Sequence, residues 1–128
     1  MNDKDSRAKR GRAARRKGHD FEREIANKLS TIYPGAARGL QYQHGLHCPD
    51  VVGTPYHIEC KHLGSRSFRP LDALEQASSD AKLASSVPGV PLRPPVAICK
   101  MTGVGTVVCM YLHDWLALVN EADGGDGA

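Results

Sequence analysis

Apolar side chains at Phe21, Ile25, Leu29 and Ile32 recur at the spacing of one helical face, with Asp20, Glu22 and Glu24 in the first turn and Pro34-Gly35 as the stop. The pattern predicts a first helix over 19–33. Beyond it the period shortens. Residues 37–43 read as a short strand, 44–49 as a Gly/His/Pro break, and 50–52 and 56–61 as an antiparallel hairpin closed by Gly53-Thr54-Pro55. Residues 64–69 read as a loop, Pro70 as the first position of a second helix reaching about residue 86, and 88–95 as a proline-rich connector. Two strands, 96–101 and 105–111, flank a Thr-Gly-Val turn, and 113–120 forms a short closing helix with Trp115, Leu116 and Val119. Helix, three strands, helix, two strands, helix, with no internal repeat, predicts an α/β fold: a mixed central β-sheet flanked by helices.

The 128 residues have room for one core. Leu, Ile, Val and Phe are absent from residues 1–17 and 121–128, so a folded domain over 18–120 is expected between a flexible basic arm and a flexible, acidic, Gly-rich tail. The longest apolar run, residues 107–112, is too short to span a bilayer, so no membrane partner is expected. No apolar leader core follows Met1, which predicts a cytoplasmic location and reduced thiols at Cys48, Cys60, Cys99 and Cys109. Charge changes the reading most at the arm, which holds eight of the 17 Lys and Arg residues, whereas 18–120 is neutral. Arg7, Lys9, Arg10, Arg12, Arg15, Arg16 and Lys17 are therefore candidate nucleic-acid contacts, with a solubilising tail as the alternative.

Strand alternation sends Glu59 and Lys61 of Ile58-Glu59-Cys60-Lys61 to one face, and Ile58 and Cys60 to the other, into apolar packing. Asp50, just after Pro49 on the preceding strand, reaches the same region across the ladder. Converging carboxylates suit a hard divalent cation. With an ammonium beside them they suit phosphodiester hydrolysis, because the cation activates water and offsets the charge growing on phosphorus while the lysine stabilises charge or orients the water. A solvated strand face with a structural ion pair is the alternative for Glu59 and Lys61. Asp80-Ala81-Lys82 repeats the acid-x-Lys spacing, but on a predicted helix, where residues two apart do not share a face. Glu22 lies roughly 65° from the centre of the first helix's apolar stripe, against roughly 95° for Glu24, and so borders the buried side.

Lys17-Gly18-His19-Asp20-Phe21-Glu22-Arg23-Glu24, Pro49-Asp50 and Ile58-Glu59-Cys60-Lys61 together resemble the PD-(D/E)XK nuclease superfamily, and within it the Holliday-junction resolvases of archaeal and phage type. The resemblance covers roughly residues 17–111 in element order. It implies a restriction-endonuclease-like fold of order α-β-β-β-α-β-β-α, with Glu22, Asp50 and Glu59 as acidic site residues and Lys61 as the catalytic lysine. It also implies Mg2+, replaceable by Mn2+, held by Asp50, Glu59 and the Cys60 backbone carbonyl, with Glu22 as a further candidate. Gln76 matches a helix-borne Gln that some relatives place near the site. A solvated Gln is the alternative, because Gln76 projects away from the apolar side of the second helix, defined by Leu71, Leu74, Ala77, Ala81 and Ala84.

His57 shares the Glu59 face, where it would contact phosphate or water, or serve as a surface or packing histidine. His44, His47, Cys48, Cys60 and His62 include no Cys-x-x-Cys knuckle, which weighs against structural zinc. The expected function is a metal-dependent endonuclease on DNA, branched DNA above all. The alternatives are a general phage-type duplex nuclease and a non-catalytic nucleic-acid-binding module using the basic arm. Two symmetric nicks in a four-way junction call for a twofold homodimer, with 96–101, 105–111 and the Trp115 helix as its expected contact surfaces.

Overall fold

The computed structural model describes residues 2–40, 48–63 and 69–124. Its first helix, α1 (Asp3–Leu29), begins at Asp3 rather than at residue 19. The Asn2 side chain accepts the Asp5 N–H at 2.9 Å, Asp3 and Asp5 face the positive end of the helix dipole, and the Ala, Arg and Lys that follow are strong helix formers. The arm is therefore the first half of a 27-residue helix. It escapes a periodicity reading because a helix that is polar all round has no stripe to detect. At its other end α1 stops at Leu29 rather than residue 33, with the Ser30 N–H donating to the Ala26 carbonyl at 2.9 Å, and Ile32 is exposed.

Three strands, β1 (Ala37–Arg38), β2 (Val51–Val52) and β3 (His57–Leu63), precede helix α2 (Pro70–Ala84). Strands β4 (Pro95–Met101) and β5 (Gly105–Cys109) and helix α3 (Leu112–Ala122) follow. The strands form one mixed sheet in the order β1-β2-β3-β4-β5. Only β3 and β4 are parallel, in register from His57↔Pro95 to Leu63↔Met101. Parallel neighbours cannot be joined by a tight turn, so α2 is the crossover between them. Residues 41–47 and 64–68, which cover the end of the first expected strand and most of the expected break and loop, lie outside the described residues, as does the tail beyond residue 124.

Each face of the sheet is covered by one helix. Phe21, Ile25 and Ala26 of α1 pack with Val51, Ile58, Cys60, Val96 and Ile98. On the opposite face, Ala73 and Leu74 of α2 pack with Ala97 and Cys99. The small Ala97 and Cys99 side chains leave room for α2, whose other buried positions, Ala77 and Ala81, are also small. Leu71, expected on this apolar side, is exposed instead. Because β3 is covered on both faces, four successive residues, His57 to Cys60, are buried, Glu59 among them.

The C-terminal part departs from expectation in two ways. β4 is central and buried over Val96–Cys99, so it cannot serve as a contact surface, whereas β5 is an open edge. α3 reaches Ala122, two residues into the expected tail, and buries none of its residues. Among the described residues, no helix is long and apolar enough to cross a membrane.

The turn between β2 and β3 rests on Gly53, which has φ +81° and whose missing Cβ would lie 2.1 Å from the Gly35 carbonyl oxygen. Both constraints are backbone constraints, which a side chain cannot relieve by turning away. Gly53→Ala should cost about 2 kcal/mol or more, read as a lower midpoint in urea unfolding; an unchanged midpoint would show that the turn moves freely off residue 35.

Candidate active site

The site begins where β2 leaves β3. Their ladder has one register pair, Val51↔Ile58, extended by the Asp50 N–H donating to the Ile58 carbonyl at 2.8 Å. Past that point β3 has no strand partner on this side among the described residues, and the Asp50 side chain fills in: its Oδ2 accepts the Cys60 N–H at 2.8 Å. On its other flank the Asp50 carbonyl accepts the Gly39 N–H at 2.8 Å. That approach needs glycine, because a Cβ at residue 39 would lie 2.0 Å from the Pro49 carbonyl oxygen. Asp50 is thus held from both sides.

Glu59 turns to the α2 face and is only 6% exposed. Its Oε1 accepts from Gln76 Nε2 at 3.2 Å and pairs with Lys61 Nζ at 3.3 Å. Glu59 and Lys61 therefore share a face, as alternation requires, but Glu59 is buried rather than solvated. Gln76, expected on the solvated side of its helix, reaches Glu59 from the flank of α2: its Cα lies off the apolar stripe, but its side chain is long enough to cross. Burial raises the Glu59 carboxyl to about 7; the Asp50 and Asp80 charges add to this, and Lys61 opposes it. Asp80, set aside on helical geometry with Lys82, is thus near enough on α2 for its charge to act on Glu59. Asp50 is raised to about 6 by burial and by the Glu22 charge, against the Cys60 amide, Lys61 and Arg38.

Glu22 comes to the same edge from α1, but its Oε2 accepts from Arg38 Nε at 2.8 Å in a partly buried pair. No group of three or more His, Cys, Asp or Glu side chains is placed to hold a metal among the described residues. Glu22 thus pairs with Arg38 while its charge still helps to raise Asp50, and the Asp50 charge in turn helps to raise Glu59. Arg38 went unnoticed in the sequence, although its place on the strand beside β2 puts it opposite Val51.

His57 is buried beneath α2 and lines a cleft of about 310 Å3 with Thr54, Tyr56, Ala81 and Arg93. A role on the surface is excluded by that burial. The Cys60 thiol points to the α1 side, and burial raises its pKa, which suits core packing. His44 and His47 lie outside the described residues. The described cysteines are free thiols.

The donors present suit a hard divalent cation in type: two carboxylates and the Cys60 carbonyl, which strand alternation directs to the same side of β3 as the Cys60 N–H. Partly buried Asp50 and buried Glu59, whose pKa the Asp50 charge helps to raise, also form a locus of negative potential once ionised. Comparison with protein families, curated proteins and solved structures finds no significant match.

The unfolded chain ionises these carboxyls at lower pH than the folded protein does. Their contribution to stability is full below about pH 4 and is lost as pH rises toward 7. In metal-free buffer, Glu59→Gln should gain about 2 kcal/mol on the wild type between about pH 4.5 and 7.5, measured by urea unfolding. A difference that stays constant with pH would mean that Glu59 ionises like a surface carboxylate.

Proposed function

We propose that the protein is a metal-dependent endonuclease of restriction-endonuclease-like, PD-(D/E)XK type that hydrolyses DNA phosphodiester bonds and resolves four-way junctions. The observation that carries this reading is the partly buried Asp50 beside the buried Glu59 where β2 leaves β3, with Lys61 Nζ 3.3 Å from Glu59 Oε1. Asp50, Glu59 and the Cys60 carbonyl hold Mg2+, or Mn2+ in its place. The ion, when bound, supplies positive charge that offsets the charge growing on phosphorus. Lys61, half-exposed beside Glu59, orients the attacking water and adds stabilisation to the same charge. Gln76 holds the Glu59 carboxylate in place, and Arg38 keeps Glu22 from adding its full charge to the pair. A second reading, a non-catalytic nucleic-acid-binding module, is favoured by the pairing of Glu22 with Arg38 and by the basic half of α1.

One gel separates these readings: the protein with magnesium on a four-way junction beside a linear duplex. Junction nicking is expected. Glu59→Ala and Lys61→Ala should each lower its rate by about a hundredfold or more and leave DNA affinity within about threefold, because the basic helix binds independently. Cutting by either variant at the parental rate would overturn the site assignment. Equal cutting of the linear duplex would point to a general nuclease.

Resolution needs two symmetric nicks, and the chain offers one site, so the reading includes a twofold homodimer. Its support is the apolar surface at the end of the fold, where Val108, Leu112, Trp115 and Leu116 are all exposed on the open β5 edge and on α3. Trp115→Glu should then sediment as a monomer and nick one strand of the junction without completing resolution. A wild-type protein that sediments as a monomer at concentrations giving full resolution would refute the dimer.

A further inference from the structure

The basic half of α1 runs past the sheet. α1 meets the core through Phe21, Ile25 and Ala26, and the Phe21 ring lies 5.8 Å from that of His62 near the C-terminal end of β3. Ala13, Arg16 and Lys17 line a shallow cleft with His62 and Lys100 at that same end. Residues 3–12 therefore extend roughly 15 Å beyond the sheet at 1.5 Å per residue. All of them are exposed except Ser6 and Gly11, which are partly covered.

The distribution of charge around this helix narrows the choice of partner. At 100° per residue, Lys4, Arg7, Lys9, Arg10, Arg12, Arg15, Arg16 and Lys17 leave no sector wider than roughly 80° without a cation. A helix lying on one row of phosphates would need charge on one side only. A lipid surface would need an apolar side, and residues 3–17 contain no Leu, Ile, Val or Phe. Cations all round match a ligand with phosphates on two walls. The B-form major groove, about 12 Å wide, admits a helix about 10–12 Å across and is walled by phosphates on both sides. The A-form RNA major groove is too narrow and deep for it. Ala8, Gly11, Ala13 and Ala14 between the cations keep the helix slim enough to sit deep.

We propose that residues 3–17 enter the DNA major groove as a preformed helix, so that the protein engages a stretch of B-form duplex next to the point of cleavage. The proposal deepens the DNA reading above and rests on it. Arg7 lies roughly 22 Å along α1 from Glu22, so groove and carboxylates fall within one turn of duplex.

The test keeps charge constant and removes the helix. Full-length wild type and the Ala8→Pro/Ala14→Pro variant are titrated without magnesium onto a 20-base-pair DNA duplex (about two turns), the matching single strand and the matching RNA duplex, at several salt concentrations. Two prolines break the helix at no cost in charge, and an unchanged urea-unfolding midpoint, followed by circular dichroism, confirms an unchanged core. The variant should lose about tenfold or more in affinity for duplex DNA, with a shallower salt slope, and stay within twofold on the single strand. The wild type should prefer DNA duplex to RNA duplex. Unchanged duplex affinity in the proline variant would overturn the groove helix and leave a charge tail. Equal losses on duplex and single strand, or equal wild-type affinity for both duplexes, would overturn it as well. All of these are binding readouts, so a failure of magnesium-dependent nicking would sink the nuclease reading and leave this result standing.

Discussion

The Cys60 amide donates to the Asp50 carboxylate at 2.8 Å at the point where β2 has already left β3. A buried strand edge with no neighbour leaves backbone groups unpaired, at a cost of about 1–3 kcal/mol each. A side chain that reaches back across the gap removes that cost and is itself immobilised. The local architecture is organised around this bond. Gly39 lets β1 press against Asp50 from outside, and the Gly53 turn, seated on residue 35, sets where β2 ends. Because the bond fixes β3 at Cys60, the residue before it must face α2, and that residue is Glu59.

The same geometry creates an electrostatic conflict. Two carboxyls are withdrawn from water, Glu59 almost wholly and Asp50 in part, where the Glu22 charge raises Asp50 and the Asp50 charge raises Glu59, with Lys61, Gln76 and Arg38 as partial compensation. A protein selected for stability alone would favour apolar residues here, since buried ionic groups rarely improve on well-packed hydrophobic ones. Local conflict of this kind concentrates where a protein does something, because a bound ligand can resolve it. A divalent cation has the charge to do so and a liking for the oxygen donors present.

Much of the candidate site was legible because strand alternation is a rigid rule. Once Ile58 and Cys60 are assigned to a core, Glu59 and Lys61 must share the other face, whatever covers it. The contributions of Gln76, Asp80 and Arg38 were not legible in the same way. Each depends on how two elements far apart in sequence are set against each other: α2 over β3 for Gln76 and Asp80, and β1 beside β2 for Arg38. Helical wheels place Gln76 away from the apolar stripe and correctly so, yet they carry no information about the reach of its side chain or about which strand lies below.

The sequence by itself determined the order of the elements, the placement of an apolar face on each buried one, and the pairing of an acid with a lysine on one strand, since these follow from short-range periodicity and turn chemistry. Only the tertiary structure decided that Glu59 is buried, that Glu22 pairs its carboxylate with Arg38, and that α3 buries none of its residues against the other described elements. Burial and charge pairing are properties of three-dimensional neighbours. The basic arm falls between the two cases: its composition announced its charge, but its helix, free of any apolar stripe, rests on alanine-rich propensity and the Asn2 cap.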